Sequence, residues 1–416
     1  MDLEVVRVDR TTVEMPYREV HARNMHRQWP SWKYFELCEL ELACGAVGHG
    51  ETMLFYGWGK TEDEDVARAR GENAAALMWD DSLGAGLQMA LFDAVGRALG
   101  VPVHDLLGEQ VTDSVPLSWW CLDMPTEDWV SECEAAVAAG YDAIKLKGRP
   151  WFDIREQLAA IADATPPSFE VDIDFNRTML DAERALPVLE DLAAHPQVRS
   201  FEEPIHREDD AGNRRLREAL DVDIAHHYSY EAPIESLAAG VCDGCILTGG
   251  ATEMRNHGAV LADAGMPLWL QLVGTGITAT FCAHLGAVLT AADWPAVNCH
   301  QLYEPPLLAE PFPVEDGATP VPDGPGLGRE VDMDLVKELR TDIPAEKPAP
   351  TPLVETDWPD GPTVYTTSGK QLISLARDDA IPYFERGVET RVLPDDGSDR
   401  YADLRERARE APVSED

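Results

Sequence analysis

Residues 141–203 read YDAIKLKGRPWFDIREQLAAIADATPPSFEVDIDFNRTMLDAERALPVLEDLAAHPQVRSFEE, and this stretch decides the fold. Three apolar runs in it end in charged side chains, and a fourth run follows at 222–227. Their last residues are spaced by 27, 28 and 25 positions: Lys147, Asp174, Glu202 and His227. Each interval fits one strand plus one helix with short loops, which predicts consecutive parallel strands.

The ends of these predicted strands carry chemically active side chains. Parallel strands joined by right-handed helical crossovers place all their carboxyl ends on one face. The spacing therefore predicts that five side chains meet at one mouth: Lys145, Lys147, Asp174, Glu202 and His227. Two amines opposite two carboxylates and an imidazole suit metal-assisted removal of a proton.

The rest of the chain extends this pattern into an α/β barrel. From residue 115 to residue 300, eight apolar runs alternate with helical segments, which predicts a modified TIM barrel of the (β/α)7β type. Residues 3–58 alternate like antiparallel strands around a polar and aromatic loop at 21–32, and two helical patterns follow. We therefore expect an N-terminal α+β domain. The predicted boundaries are 1–112, 113–330 and 331–416, and the last part is expected to be an extension packed on the body.

The formal charge of −42 arises from 76 acidic and 34 basic side chains spread along the chain. Unscreened carboxylates repel one another, so this composition predicts a need for salt and the cytosol of a halophile. A compact acidic tail that binds a basic partner is the alternative. Binding to nucleic acid is disfavoured, because a phosphate backbone needs a basic footprint.

Neither a membrane span nor a secretion signal is indicated. No apolar run reaches the ~20 residues that cross a bilayer, and the N-terminus lacks a basic-then-apolar signal, so we expect a cytoplasmic protein without membrane contact. The eight cysteines show no paired metal spacing, and Cys242-Asp243-Gly244-Cys245 is an isolated pair in a predicted buried strand. Core thiols are expected, with redox or zinc chemistry as the alternative.

Several motifs, in this order, resemble the enolase superfamily, most closely its mandelate racemase and muconate lactonizing enzyme branch. They are Lys145-x-Lys147, Asp174-x-Asn176, Glu202-Glu203-Pro204, Gly57-Trp58-Gly59, Leu106-Leu107-Gly108 and Pro325-Gly326-Leu327-Gly328, within residues 3–340. The resemblance implies an N-terminal capping domain over the barrel and a magnesium ion at the mouth. It implies removal of the proton α to a carboxylate, with stabilisation of the enediolate that results. It also implies a small-molecule carboxylate substrate and a homo-oligomer.

Asp174 and Glu202 are the predicted metal ligands, because magnesium prefers oxygen donors in near-octahedral geometry. Ordinary solvated acids are the alternative. The third ligand of the family is an acid at the end of strand five, where this chain has His226-His227-Tyr228. The strand register places His227 at the ligand position, and an error of one residue stays open. An imidazole would shift the preference toward manganese, zinc or iron; a buried structural histidine is the alternative.

Lys147 is the predicted base, and Lys145 assists it. The ordinary pKa of lysine is ~10.4, so a free amine at neutral pH requires a lowered pKa. A second cation on the same strand face destabilises the protonated form. The resemblance implies that Lys145 also contacts the substrate carboxylate. Two surface lysines are the alternative.

The acid/base groups that the family carries on the opposite face are missing. Mandelate racemase-like enzymes have a strand-seven histidine with a strand-six aspartate, and muconate cycloisomerase-like enzymes have a strand-six lysine; here those positions hold Gln271 and Thr248. A reaction that uses groups on only one face of the substrate is still supported: Lys147 takes a proton and an acid expels a β-hydroxide. His300, at the end of strand eight, is the candidate acid, with a structural role as the alternative.

Polar and aromatic residues near the strand ends and in the N-terminal loop are predicted to contact substrate. They are Asn176, Gln271, Asn298, Trp119, Trp120, His26 and Arg27. Arg27 could pair with a distal polar or anionic group of the substrate. We therefore expect a divalent-metal-dependent lyase that dehydrates a sugar acid or related hydroxy acid. The alternatives are a racemase, epimerase or cycloisomerase of the same superfamily, and a homologue that binds a carboxylate without turnover.

Overall fold

The computed structural model describes residues 1–57, 60–228 and 233–415, except for the side chains of Pro233, Ile234 and Ser236. Two residues of the Gly57-Trp58-Gly59 motif, 58 and 59, lie outside the described residues. The strands are β1 Val5–Glu14, β2 Tyr34–Leu42, β3 Val47–Met53, β4 Ser114–Trp120, β5 Ala143–Lys147, β6 Glu170–Asp174, β7 Val198–Glu202, β8 Asp223–His227, β9 Gly244–Leu247, β10 Leu268–Leu270, β11 Ala296–Val297, β12 Ala318–Pro320, β13 Leu353–Asp357, β14 Thr363–Thr366, β15 Glu389–Leu393 and β16 Val413–Glu415. The α-helices are α1 Glu19–Gln28, α2 Asp63–Ala69, α3 Ala74–Leu77, α4 Ala85–Leu99, α5 Val103–Leu107, α6 Thr126–Ala138, α7 Ile154–Ala164, α8 Ala182–Ala193, α9 Asp210–Ala219, α10 Pro233–Ala239, α11 Ala251–Asp263, α12 Gly276–Gly286, α13 Met333–Glu338, α14 Gly369–Arg377 and α15 Asp399–Glu410.

The main sheet is a nearly closed barrel. Its eight strands follow the order β10-β9-β8-β7-β6-β5-β4-β11. Strand β12 pairs in antiparallel orientation with the first three residues of β4. An isolated parallel bridge between Gln271 and Val297 links the two ends of this order. The strands are short and largely buried, as expected for parallel strands covered on both faces. The predicted α/β barrel is confirmed.

The chain divides into two compact units, and each is built from distant parts of the sequence. The first unit comprises Met1–Arg18, Ser31–Ser118 and Ile246–Lys347. The second unit comprises Glu19–Pro30, Trp119–Cys245 and Pro348–Asp416. The second unit therefore holds β5 to β8, whose ends carry the predicted lysines, acids and histidine.

The first unit contains an antiparallel sheet of β1, β2 and β3, with α4 packed on β3. Gly48 permits this close packing, because a Cβ there would lie 2.2 Å from the carbonyl oxygen of Ala90. Helix α4 ends at Gly100, whose φ of 74° is left-handed and favours glycine. Antiparallel strands followed by helices are present as predicted.

In the second unit the strand register sets the predicted site residues at one level. Lys147 lies opposite Asp174 in the β5–β6 pair, and Asp174 lies opposite Glu202 in the β6–β7 pair. Glu202 pairs with Ala225, two residues before His227. Each of these four predicted strand ends is the last residue of its strand, so the predicted spacing is confirmed.

The prediction of a loop at residues 21–32 is wrong, because residues 19–28 form helix α1. This helix buries polar side chains that face acidic groups of the same unit. Asn24 Nδ2 donates to Asp128 Oδ2 at 2.7 Å, and Arg27 Nη1 donates to Asp123 Oδ2 at 2.9 Å. These pairs satisfy groups that would otherwise be costly to bury.

The eighth strand of the barrel, β11, is shorter than predicted. It ends at Val297, and Cys299 has a left-handed φ of 59°. A 3₁₀ turn then begins at His300. His300 therefore lies in a turn beyond the strand and not at its end.

The C-terminal extension has its own sheet, in the order β15-β13-β14-β16, with helices α14 and α15. The strands of this sheet were not predicted. Trp358 of the extension is 1 % exposed and shares a hydrophobic cluster with Trp151 and Phe152, from the loop after β5. Thr390 Oγ1 also donates to the carbonyl of Trp151 at 2.5 Å. The extension is thus built onto the loop that follows the two lysines.

None of the helices in the described part of the chain combines the length and the apolar character needed to cross a membrane.

Candidate active site

Glu202 is a buried carboxylate of the strand-end cluster, which we define as Lys145, Lys147, Asp174, Glu202 and His227. It forms an ion pair with Lys145, and both side chains are 1 % exposed. His227 Nε2 lies 3.2 Å from Oε1 of the same carboxylate. Burial opposes ionisation, but the Lys145 ammonium and the His227 imidazole outweigh it, so the pKa of Glu202 is held well below its usual value.

Lys147 and Asp174 form the second ion pair of the cluster. The Lys147 side chain is 16 % exposed, so its amine is more accessible than that of Lys145. Asn176 holds the same carboxylate, since its backbone N–H donates to Asp174 Oδ1 at 2.7 Å and its Nδ2 donates to Oδ2 at 3.1 Å. The Lys147 amine also lies 6.0 Å from the centre of the Trp120 ring.

Two arginines that the sequence reading missed reach Asn176. Buried Arg149 donates from Nη1 to the Asp174 carbonyl at 3.0 Å and from Nη2 to Asn176 Oδ1 at 2.5 Å. Arg377, at the end of α14, donates to the Asn176 carbonyl at 2.7 Å. The sequence does hint at Arg149, because it continues the series of basic side chains at alternate positions that begins with Lys145 and Lys147. The sequence gives no hint of Arg377, since nothing in it connects the extension to this loop.

The donors of Asp174, Glu202 and His227 suit a divalent cation, because two carboxylates and an imidazole on neighbouring strand ends offer oxygen and nitrogen ligands. They are not gathered as tightly as a bound cation requires. Among the described residues, the one group of at least three such donors within 4.8 Å of one another lies elsewhere. The two lysines account for this spread, since each pairs with one carboxylate. Binding of a cation would have to displace these ammonium groups.

The two adjacent histidines face different surroundings. His227 approaches Glu202, whereas His226 is buried with its Nε2 3.1 Å from Asn213 Oδ1. Burial lowers the pKa of His226 to about 4. Alternation along β8 explains the difference, because successive side chains point to opposite faces. Of the two, His227 is the one directed at the strand-end cluster.

The two adjacent tryptophans also diverge. Trp119 Nε1 donates to Glu132 of α6 at 3.1 Å, and its ring packs edge-on against Tyr141. The prediction that both rings line the same cavity therefore needs correction. Trp120 lies near Lys147, and Trp119 is directed toward α6, again because neighbours on a strand alternate.

The residues predicted to contact substrate from the N-terminal segment lie on α1. The Arg27 guanidinium is buried against Asp123, which also accepts a hydrogen bond from Trp151 Nε1 at 2.9 Å. Arg27 is thus engaged in an internal ion pair, contrary to the predicted pairing with a substrate anion. His26 is exposed on the same helix.

Three predicted site residues belong to the first unit. Gln271 forms the bridge with Val297, and Asn298 Nδ2 donates to the Leu272 carbonyl at 3.1 Å. The His300 ring lies 4.6 Å from the ring of Phe312. Burial lowers the pKa of His300 to about 4, so this imidazole is neutral at pH 7. A neutral imidazole is poorly suited to the predicted role of general acid.

Comparison with known proteins places these features in a wider group. A family model described as enolase C-terminal domain-like matches residues 128–335, half of the chain. Muconate cycloisomerase 1-2 of Acinetobacter lwoffii is 27 % identical over 272 residues, covering 62 % of this chain and 69 % of that protein. D-gluconate dehydratase of Thermoproteus tenax is 25 % identical over 351 residues, covering 76 % and 66 %. The crystal structure of muconate cycloisomerase from Pseudomonas fluorescens superposes with a TM-score of 0.67 at 23 % identity, over 82 % of this chain and all of that one.

Proposed function

Because this chain belongs to the enolase C-terminal domain-like family of the enolase superfamily, we propose that it removes the proton α to the carboxylate of a small acid. The reaction that we favour is the dehydration of a sugar acid or related hydroxy acid. The observation that carries the proposal is the arrangement of Lys147 beside Asp174 and Lys145 beside Glu202, at the ends of three neighbouring strands. One relative is a sugar-acid dehydratase, which is consistent with this choice.

Lys147 is the proposed base, because its side chain is the more exposed of the two, at 16 % against 1 % for Lys145. It takes the α-proton as a free amine and becomes an ammonium ion beside the Asp174 carboxylate. The Lys145 amine is paired with Glu202 and its side chain is only 1 % exposed, so it is the less accessible of the two amines. In the second step the Lys147 ammonium returns this proton to the β-hydroxyl, the bond between the β carbon and oxygen breaks, water leaves, and a double bond forms between the α and β carbons.

Asp174, Glu202 and His227 would hold a divalent cation, with magnesium as first choice and manganese as the alternative that the imidazole favours. When bound, the cation supplies positive charge that stabilises the negative charge developing on the substrate carboxylate. Asn176, held by Arg149 and Arg377, keeps the Asp174 carboxylate in place.

Dehydration is preferred to racemisation because the sequence positions for a second base hold Thr248 and Gln271. Neither an alcohol nor an amide can take a proton from carbon at neutral pH. Cycloisomerisation is the second candidate, because several relatives are cycloisomerases.

A panel of acid sugars and other hydroxy acids, assayed in high salt with added Mg²⁺ or Mn²⁺, tests the reaction. Run in D₂O, dehydration gives a 2-keto acid with loss of water. An epimerase or racemase would return an acid deuterated at the α carbon, and a cycloisomerase would form or open a ring without losing water. Binding without any of these changes would favour a non-catalytic homologue.

The two adjacent histidines offer a matched pair for testing the third ligand. We expect His227→Ala to weaken Mn²⁺ binding at least tenfold, because the imidazole beside Glu202 is removed. His226→Ala should leave Mn²⁺ affinity unchanged, since His226 hydrogen-bonds Asn213 instead. Isothermal titration of both variants measures the difference. Equal affinities for the two variants would remove His227 from the ligand set.

We also propose that the protein works in a salt-rich cytoplasm. The charge of −42 implies strong repulsion among carboxylates, which salt screens as the Debye length falls from ~10 Å at 0.1 M to ~3 Å at 1 M. We therefore expect the melting temperature to rise by more than about 4 °C between 0.1 and 2 M KCl, equivalent to about 3–4 kcal/mol for a chain of 416 residues with an unfolding entropy of ~2.1 cal/mol/K per residue. Thermal unfolding followed by circular dichroism measures this. A flat or falling melting temperature would contradict the salt requirement.

A further inference from the structure

A second group of side chains has the composition of a metal site, and we call it the His21–Cys121–Glu132 cluster. His21 lies on α1, Cys121 follows β4, and Glu132 lies within α6. One ligand atom from each lies within 4.8 Å of the other two, and all three residues are 0 % exposed. Within the part of the chain that the structure describes, no other three histidine, cysteine or acidic side chains come this close together.

The electrostatics of the cluster favour a cation. His21 Nε2 lies 2.8 Å from Glu132 Oε2, and Trp119 Nε1 donates to the same oxygen at 3.1 Å. A carboxylate buried in this way is costly unless it is hydrogen-bonded or paired with a cation. A divalent cation bound by one carboxylate, one thiolate and one neutral imidazole gives a site with no net charge. Such a site suits a buried position, because it leaves no uncompensated charge there.

We propose that His21, Cys121 and Glu132 bind Zn²⁺. Nitrogen, sulfur and carboxylate oxygen are the ligands that zinc takes in tetrahedral sites, whereas magnesium requires oxygen donors. Ligand atoms around tetrahedral zinc lie ~3.3–3.8 Å apart, given bond lengths of about 2.0–2.3 Å. The His21–Glu132 contact would therefore open by ~0.5 Å, and the cysteine sulfur lies within 4.8 Å of both other ligand atoms. Three protein ligands leave one tetrahedral position for a water molecule.

Zinc at this position would attach α1 to β4 and α6. Helix α1 already has polar attachments in the same unit, among them those from Asn24 to Asp128 and from Arg27 to Asp123. A metal ligated by His21 would add a further attachment on the same helix. The proposal is independent of the α-proton chemistry, because it involves different residues and a different class of metal.

Cobalt substitution tests the proposal on the unaltered full chain. After treatment with a chelator, the protein is titrated with Co²⁺ in excess Mg²⁺, which competes for the oxygen donors of the strand-end cluster. We expect one tightly held Co²⁺ per chain and a thiolate-to-cobalt absorption band in the near ultraviolet. The same protein loaded with Zn²⁺ should retain one zinc after gel filtration, measured by mass spectrometry. Retention of metal without a thiolate band would mean that the metal binds elsewhere, which would overturn the proposal.

Two cysteine variants provide a matched comparison. Cys133 is buried next to Glu132 in α6 but is not a member of the cluster. We expect Cys121→Ala to abolish the band and lower Zn²⁺ affinity at least tenfold, while Cys133→Ala keeps both. His21→Gln is a second test that leaves a polar group beside Glu132, and it should also weaken Zn²⁺ binding at least tenfold. Persistence of the cobalt band in Cys121→Ala would rule out this cluster as the site.

Discussion

Lys147→Met is expected to reduce turnover by about 10²–10⁴-fold, the range that a positioned general base contributes. Methionine keeps most of the side-chain volume but has no amine to accept the α-proton. Mg²⁺ should bind at least as tightly as it does to the unaltered chain, because the Lys147 ammonium pairs with Asp174 and competes for that carboxylate. Steady-state kinetics and isothermal titration on the same preparation separate the two effects.

The control for this variant is Lys337→Met. Lys337 lies on α13, is 72 % exposed and pairs with Asp334 at 2.8 Å. It is expected to retain full turnover, so any general effect of removing a lysine would appear in both variants. Full activity in Lys147→Met would end the assignment of the base.

Glu202→Gln is expected to destabilise the fold by about 3–5 kcal/mol, the usual cost of removing one partner from a buried ion pair. The Lys145 ammonium, 1 % exposed, would lose its partner. Mg²⁺ binding should also be lost, because an amide is a much poorer ligand than a carboxylate. Denaturant unfolding at pH 7 measures the first effect, and isothermal titration measures the second.

Two further variants sharpen this test. Glu203→Gln changes a neighbouring buried acid that pairs with Arg177 at 3.4 Å, and it should leave Mg²⁺ binding intact. Combining Glu202→Gln with Lys145→Met removes both partners, so much of the lost stability should return while Mg²⁺ binding stays absent. An unfolding free energy in Glu202→Gln equal to that of the parent would show that the pair with Lys145 contributes nothing.

The pH dependence of unfolding follows from the same carboxylate. The pKa of Glu202 is lower in the folded chain than its usual value of 4.5. Its pairing therefore contributes fully above about pH 4.5, and this contribution is lost as the pH falls toward the folded pKa. Glu202→Gln should accordingly show a weaker loss of stability on acidification than the parent chain.

The barrel and the strand-end cluster were predictable because their signals are local and repeated. Short apolar runs at steps of 25 to 28 residues identify the strands, and Lys147, Asp174, Glu202 and His227 end them. A parallel register then brings these ends together without further information.

Helix α1 could not be recognised, because its buried face is polar. His21, Asn24 and Arg27 are buried against acidic partners, so the helix shows no apolar periodicity. Its stabilising partners lie about 100 residues away in the chain, so a local sequence pattern cannot reveal them.

The C-terminal sheet was missed for a related reason. Strand β13 pairs with β15, more than 30 residues later, and β14 pairs with β16. Such short strands are stabilised by their partners and by the cluster around Trp358, and their own sequences carry little signal. The contact from Arg377 to the Asn176 carbonyl depends on this packing and was equally hidden.

A crystal structure of the Mn²⁺-soaked protein, with anomalous scattering used to locate the metal, tests the account most directly. We predict a manganese ion bound by Asp174, Glu202 and His227. The amine of Lys147 should have moved away from the Asp174 carboxylate. A manganese ion bound away from these three side chains, or a Lys147 amine still paired with Asp174 beside a bound metal, would contradict it.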